Sequence, residues 1–166
     1  MIDNPENRNN ARIDYKSPVT IDRLDIPEGS GFSSETFLFS AHWDGGSGRF
    51  VTRMAPEATD TPVFPSYDLR EQYQVMTAVG EKSDIPVPRL LGLEADTSLL
   101  GVQFYVMEFT PGRIPTDMPP YSMDGWMMHE TSEPQRAALW RAAVDTMARY
   151  HRLDYRELGF AHLASD

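Results

Sequence analysis

Residues 29–36, Gly-Ser-Gly-Phe-Ser-Ser-Glu-Thr, form the short stretch on which the interpretation of the fold depends. Two glycines and three serines occur among these eight residues, directly before the strand-like segment FLFSAHW. Glycine lets a backbone approach a ligand closely, and successive N–H groups create a surface that attracts anions. A tight turn between two strands has the same composition. The stretch therefore predicts either a hairpin turn or a cradle for phosphate groups.

The length and composition indicate one acidic globular unit. The chain has 166 residues, of which 40% are hydrophobic, so it is long enough to bury a core. Its formal net charge of −10 argues against nucleic acid as a partner, because contacts with phosphate backbones need clustered Lys and Arg. There is no cysteine, which excludes disulfides, thiolate metal sites and a cysteine nucleophile.

Targeting and metal signals are not recognisable in the sequence. The polar N-terminal segment has no apolar core of a signal peptide, and no run of residues has the apolar length of a membrane span. We therefore expect a cytoplasmic protein that does not bind membranes. The four histidines show no paired ligand spacing, so we expect no metal site of their making.

The first third of the chain predicts an arm followed by strands. Residues 1–18 are polar and aperiodic and are expected to form a flexible arm. A weak strand is predicted at 19–26, and a stronger one, rich in β-forming residues, at 36–43. The run Asp-Gly-Gly-Ser-Gly at 44–48 tolerates positive φ, and a strand resumes at 49–54. These segments predict a hairpin.

The middle of the chain predicts a helix and two further strands. A three-proline loop leads to a helical stripe at 67–82, with Ser66 as the expected N-cap. The segment IPVPRLLGLEAD is expected to enter a strand in extended form, because each residue before a proline avoids helical geometry. Residues 102–109, VQFYVMEF, are apolar almost throughout and predict a strand buried on both faces.

The last part of the chain predicts a long helix at about 133–153. Ser132 is the expected N-cap, and Pro134 suits the first turn. The buried stripe is expected to contain Leu139, Ala143 and Met147, followed by Tyr150 or His151.

The order of these segments resembles the amino-terminal lobe of the aminoglycoside phosphotransferase and choline kinase-like family, which has a protein kinase-like fold. The resemblance covers residues 19–160 and rests on GSGFSSETFLFSAHW, RFVTRMAP, YDLREQYQVMTAVGEKSDIPVPRLLGL, FYVMEFTPG and ALWRAAVDTMARYHRLD. It implies an α+β fold in which an antiparallel sheet of about five strands is accompanied by one helix. Residues 19–112 would be the nucleotide-binding lobe, and residues 113–166 a connector and the start of an incomplete helical lobe.

The same resemblance implies a binding site for ATP or GTP with Mg²⁺. The phosphates would be held by the turn residues Ser30, Gly31, Phe32, Ser33 and Ser34, and by a cation on the third strand paired with a carboxylate on the next helix. Arg53 and Glu71 match those two positions, with Arg in place of the usual Lys. Met107 would face the adenine pocket, and the backbone of Glu108, Phe109 and Thr110 would meet the adenine edge. The alternatives are a solvated charge at Arg53, a solvated helix face at Glu71 and an ordinary core strand.

The catalytic loop of the family has no counterpart in the sequence. The family carries it as His-Gly-Asp followed by an Asn, whereas this sequence has no His-Gly-Asp and all its Asn residues lie within the first ten positions. The segment at His151 is not that loop, because Leu153 separates Arg152 from Asp154. We therefore assign no catalytic residue and expect the metal ligands to lie outside the chain.

These observations predict the nucleotide-binding half of a small-molecule phosphotransferase. A complete enzyme of this kind would phosphorylate a hydroxyl acceptor, and this chain would be inactive alone. The alternative is a non-catalytic nucleotide-binding or regulatory module. A third interpretation is an interaction domain, because an incomplete lobe exposes an apolar interface through which copies could associate.

Overall fold

The computed structural model describes residues 18–26, 35–55, 68–116 and 118–163. Its strands are β1 (Thr20–Asp25), β2 (Glu35–Trp43), β3 (Gly46–Met54), β4 (Leu90–Glu94) and β5 (Phe104–Glu108), and its helices are α1 (Leu69–Lys82), α2 (Trp126–His129) and α3 (Glu133–His151). A short 3-10 turn follows at Ala161–Leu163. The predicted phosphate-binding residues from Ser30 to Ser34 lie outside the described residues.

The five strands form one antiparallel sheet in the order β1-β2-β3-β5-β4. Helix α1 packs chiefly against β4 and β5. One face of the sheet is apolar, with the rings of Phe39 and Phe50 5.3 Å apart and that of Trp43 6.1 Å from Phe50. The expected α+β fold, a five-stranded antiparallel sheet with a helix, is confirmed.

The β2–β3 hairpin is confirmed, and its turn is tighter than the glycine run suggested. Trp43 pairs with Gly46, so that only Asp44 and Gly45 form the turn. Gly45 has φ +88°, a value that L side chains rarely adopt. Gly46 and Gly48 belong to β3, where their missing side chains leave room for the rings of Trp43 and Phe50. The hairpin therefore has longer strands than predicted.

Helix α1 begins two residues later than predicted, and Ser66 is not its N-cap. The cap is Asp68, whose carboxylate accepts a hydrogen bond from the backbone N–H of Glu71 at 2.8 Å. Asp and Ser are about equally good N-caps, so the sequence pattern alone did not separate the two positions. The helix ends as predicted at Lys82.

Strand β5 is not buried on both faces, as its apolar run suggested. Only Tyr105 is fully buried; Phe104, Val106 and Met107 are half-buried, and Glu108 is exposed. The reason is that α1 packs on the face of the sheet where Tyr105 lies. No helix among the described residues packs to the same extent on the opposite face. β5 is nevertheless an inner strand, between β3 and β4.

Helix α3 agrees with its predicted bounds but not with its predicted burial. Its start is capped as expected, since the N–H of Ser132 donates to Gln135 Oε1 at 2.8 Å. The expected buried stripe is exposed: Leu139 is 44%, Met147 53% and Tyr150 46% accessible. The helix meets the sheet-bearing part of the chain near its C-terminal end, through Arg149 and Asp84, and none of its residues is fully buried.

Candidate functional site

One face of the sheet brings together two of the six described residues that the family resemblance assigned to nucleotide binding, Arg53 and Met107. In β3, Val51 and Arg53 point to the same side, because side chains alternate along a strand. Their cross-strand partners are Met107 and Tyr105 on β5, and Leu38 lies opposite Val51 on β2. The face therefore has an apolar patch of Leu38, Val51 and Met107 beside the cation of Arg53.

Arg53 lies directly opposite Tyr105 on the neighbouring strand of this face. Tyr105 is fully buried, and its hydroxyl lies 3.8 Å from Met76 Sδ of α1. Burial raises the pKa of Tyr105, and the positive charge of Arg53 offsets part of that rise. Arg53 is half-buried and is thus neither a freely solvated nor a deeply buried cation.

Glu71 lies in the first turn of α1 and is half-buried. A carboxylate at this position is favoured by the helix dipole, and its backbone N–H is satisfied by the Asp68 cap. Helix α1 reaches the Arg53 face through Tyr73, whose ring packs edge-on against the ring of Tyr105. The two ring centres are 6.0 Å apart. The structure thus places Glu71 on the helix that packs beside Arg53. Its pairing with the Arg53 guanidinium remains a prediction.

The end of β5 is anchored on both sides. The N–H of Glu108 donates to the Arg89 carbonyl at 2.9 Å, and the N–H of Phe109 donates to the Arg49 carbonyl at 3.0 Å. The Arg49 guanidinium also lies 4.0 Å above the centre of the Phe109 ring, a cation–π contact. Glu108 forms a long ion pair with Arg89, at 3.5 Å. This segment is therefore positioned by its neighbours rather than loosely extended.

Thr110 is the first residue after β5 whose N–H has no hydrogen bond in the described part of the chain. The N–H groups of Glu108 and Phe109 are already used within the sheet. A ligand that recognises this edge through a backbone donor therefore has the Thr110 N–H available. The predicted contact of the adenine edge with the backbone of Glu108, Phe109 and Thr110, which includes their carbonyl groups, remains a prediction.

Sequence reasoning missed Leu38, Val51 and Tyr105. The alternation of Arg49, Val51 and Arg53 in β3 was sufficient to place Val51 on the same face as Arg53, because the three residues are two positions apart. Tyr105 had no comparable signal, since its contact with Arg53 depends on the pairing of strands that are distant in sequence.

The described residues do not contain a cluster of three or more His, Asp or Glu side chains suited to a metal ion. Within the described ranges, no helix is both long enough and apolar enough to cross a bilayer.

The profile of a family described as "Phosphotransferase enzyme family" matches residues 27–165. A solved structure assigned as an aminoglycoside phosphotransferase, from Ralstonia eutropha, superposes with a TM-score of 0.59 at 24% identity. The superposition covers 92% of this chain and 38% of that one. At this identity the match concerns the fold, and it agrees with the sheet and helix order described above.

Curated relatives match a similar extent of the chain. The Arabidopsis thaliana protein named "Probable acyl-CoA dehydrogenase IBR3" is 30% identical over 79% of this chain. The proteins named "Acyl-CoA dehydrogenase family member 11" from Rattus norvegicus and Homo sapiens are 32% and 30% identical over 78% of it. The chain spans 15% of the length of each of these relatives.

Proposed function

Because the chain belongs to the phosphotransferase enzyme family, we propose that its Arg53 face binds ATP or GTP together with Mg²⁺. The observation that carries the proposal is the arrangement of this face. It combines a cation at Arg53 with an apolar patch of Val51 and Met107, and β5 leads from Met107 toward Thr110, whose N–H has no hydrogen bond among the described residues. These are the three features that phosphates, a purine ring and the purine edge require.

In this proposal each described residue has one task. Arg53 attracts the phosphates and can hold two oxygens with its planar guanidinium. Val51, Leu38 and Met107 cover one side of the base, and Thr110 donates to a ring nitrogen. Glu71 stabilises the cation from α1. The turn from Ser30 to Ser34 is proposed to donate backbone N–H groups to the phosphates, and it lies outside the described residues.

We further propose that the chain by itself does not transfer phosphate. Phosphoryl transfer requires an Asp that orients the acceptor hydroxyl, together with Asn and Asp ligands for the metal. The sequence has no His-Gly-Asp, and its Asn residues are confined to positions 4, 7, 9 and 10. A complete protein would transfer the γ-phosphate to the hydroxyl of a small molecule. A cytoplasmic location and the absence of nucleic acid partners remain predictions.

The names of the relatives do not change this assignment. They describe acyl-CoA dehydrogenases, but the matched region is 15% of each protein, whereas the phosphotransferase profile matches residues 27–165 here. Each match covers more than three quarters of the same chain, so the two matches overlap. We therefore propose that the matched region of those relatives is a phosphotransferase-like unit, and we assign no dehydrogenase activity to this chain.

The proposal is tested by calorimetric titration of the purified chain with Mg·ATP and with Mg·GTP. We expect saturable binding with one site per chain. Arg53→Met should weaken it about tenfold or more, because a hydrogen bond to a charged group contributes about 1.5–3 kcal/mol. Arg53→Lys should retain part of the affinity, since it keeps the charge but loses the planar fork.

The matched control is Arg70→Met. Arg70 is exposed on α1 and lies one residue from Glu71, so its removal changes the net charge equally without altering the Arg53 face. A chain that binds neither nucleotide, or an Arg70→Met chain that loses as much affinity as Arg53→Met, would contradict the proposal. Metal-dependent hydrolysis of ATP by the pure chain would contradict the proposed inactivity but not nucleotide binding.

A further inference from the structure

The C-terminal end of α1 is fastened to the part of the chain that follows the sheet. From α3, Arg149 Nη2 donates to the backbone carbonyl of Asp84 at 2.7 Å and lies 2.8 Å from its carboxylate. At the end of α1, Lys82 Nζ donates to the carbonyl of Glu157 at 3.1 Å. We call these contacts of Arg149 and Lys82 the clamp.

The clamp acts on α1 through a short, well-packed loop. The hydroxyl of Ser83 donates to the Val79 carbonyl at 2.7 Å, and the N–H of Ile85 donates to the same hydroxyl oxygen at 3.2 Å. Ile85 is buried, with 7% exposure. Because this loop is bonded to the helix on one side and to Arg149 on the other, a displacement of α3 at Asp84 is transmitted to α1.

Helix α1 is in turn connected to the Arg53 face. It packs chiefly against β4 and β5, and Arg53 belongs to β3. The connection runs through Tyr105, which contacts Tyr73 and Met76 on the helix and is the cross-strand partner of Arg53. Tyr105 thus links the middle of α1 to Arg53, and the clamp holds the C-terminal end of the same helix.

The loop also shares a cavity with the end of β5. A cavity of about 720 Å³ has Asp84 and Arg89 among its lining residues on the loop side, and Glu108 and Thr110 on the β5 side. The residue that receives the clamp therefore faces the same space as the segment that offers the unused N–H.

We propose that Arg149 and Lys82 are positioning residues, which hold α1 in the orientation that nucleotide binding on the Arg53 face requires. The proposal rests on the proposed function, because it concerns the affinity of the same site. Neither residue touches the nucleotide. Arg149 suits this task because its guanidinium reaches both the carbonyl and the carboxylate of Asp84, which an ammonium group reproduces poorly.

The test uses the whole chain with Arg149→Met, and with Lys82→Met as a second variant. Two quantities are measured: amide hydrogen exchange in α1 and Mg·ATP affinity by calorimetry. We expect faster exchange from Leu69 to Lys82 and an affinity about three- to tenfold weaker for Arg149→Met, a range typical of coupling through residues outside a site. The control Arg141→Met lies on the exposed surface of the same helix and should leave both quantities unchanged.

A charge exchange keeps the proposal falsifiable if Arg149→Met destabilises the whole chain. The double variant Asp84→Arg with Arg149→Asp re-forms an ion pair at the clamp, and it should restore both slow exchange in α1 and part of the affinity. A double variant that recovers the thermal midpoint but not the affinity would overturn the proposal. So would an Arg149→Met chain with unchanged exchange and unchanged affinity.

The outcomes also separate this proposal from the proposed function. If the unmodified chain does not bind Mg·ATP, nucleotide binding is wrong. Unchanged amide hydrogen exchange of α1 in Arg149→Met would then show that the clamp does not stabilise the helix. Faster exchange would show that it does.

Discussion

Arg53 and Tyr105 are direct partners across the β3–β5 ladder, and the positive charge of Arg53 offsets part of the rise in pKa that burial causes in this tyrosine. The Tyr105 hydroxyl also lies 3.8 Å from Met76 Sδ. One side chain thus joins the cation of the proposed site to the helix beside it. Tyr105 is therefore part of the support for Arg53, as well as part of the core.

Burial of Tyr105 predicts a loss of stability at high pH. Because its pKa is raised in the folded chain, the folded chain holds the phenolic proton more tightly than the unfolded chain, where tyrosine titrates near pH 10. The contribution of this retained proton to the free energy of unfolding is fully present below about pH 10 and is lost as the pH rises through the folded-state pKa. The free energy of unfolding, measured in urea at a series of pH values, should fall in this range. Tyr105→Phe should flatten the fall.

The control for this prediction is Tyr121→Phe. Tyr121 is 42% exposed, so its replacement should leave the alkaline slope of the wild-type chain in place. An identical slope in the wild-type and Tyr105→Phe chains would mean that the Tyr105 proton is not coupled to folding.

The sequence allowed the sheet and α1 to be predicted because their signals are local. The β2–β3 hairpin has strand-forming residues on both sides of Asp44 and Gly45, and α1 has an apolar stripe with a clear end at Lys82. The site roles of Arg53 and Met107 came from the family resemblance, whereas the strands that carry these two residues were predicted from the same local signals.

Other features depend on contacts that a single segment does not encode. The contact of Arg53 with Tyr105 requires the pairing of β3 with β5, and the clamp requires Arg149 to meet Asp84. Burial of the α3 stripe was predicted from periodicity, but a stripe becomes buried only when another element packs against it. In the described residues Leu139 remains 44% exposed.

We expect Gly80→Ala to destabilise the chain, although alanine has a higher helix propensity than glycine. An Ala in the interior of α1 would by itself stabilise the helix by about 1 kcal/mol. A Cβ at Gly80 would, however, lie 2.6 Å from Val87 Cγ2. Val87 is held between Pro86 and Pro88, whose rings restrict the backbone, so it has little freedom to move away. We expect Gly80→Ala to lower the free energy of unfolding by about 1–2 kcal/mol, because overpacking outweighs propensity.

When the contact with Val87 is removed, the higher helix propensity of alanine should determine the effect of Gly80→Ala. In a Val87→Ala background, Gly80→Ala should raise the free energy of unfolding by about 1 kcal/mol, as in an unconstrained helix. The measurement is urea unfolding of the four chains of this double-mutant cycle. A stabilising Gly80→Ala in the wild-type background would contradict the predicted contact with Val87.

The contact of Arg113 with Glu130 predicts an acid transition near α2. The two side chains form a forked ion pair with bonds of 2.5 and 2.8 Å, and the Arg113 guanidinium lies 4.4 Å from the centre of the Trp126 ring. Arg113 lowers the pKa of Glu130. The ion pair therefore contributes to stability above the usual carboxyl pKa of about 4.3. This contribution is lost as the pH falls through the lowered pKa of Glu130.

Trp126 fluorescence reports this transition in a chain with Trp43→Phe and Trp140→Phe. We expect the emission to change as Glu130 is protonated, because Arg113 is then released from its position over the ring. Glu130→Gln should give the acid-type emission at neutral pH and no transition below it. An unchanged spectrum in Glu130→Gln would show that Glu130 does not hold Arg113 in place.

Thr110→Pro predicts a selective loss of base recognition. Proline removes the N–H that has no hydrogen bond among the described residues, so the thermal midpoint of the free chain should change little. If the Thr110 N–H donates to the purine, the variant should bind Mg·ATP about fivefold more weakly, which corresponds to one lost hydrogen bond of about 1 kcal/mol.

Inorganic tripolyphosphate with Mg²⁺ provides the matched control ligand, because it carries the phosphates without the base. Its binding should be insensitive to Thr110→Pro but weakened by Arg53→Met, whereas Mg·ATP should be weakened by both. Equal losses for the two ligands in Thr110→Pro would indicate a distorted site, and no loss for Mg·ATP would exclude the Thr110 N–H as the base contact.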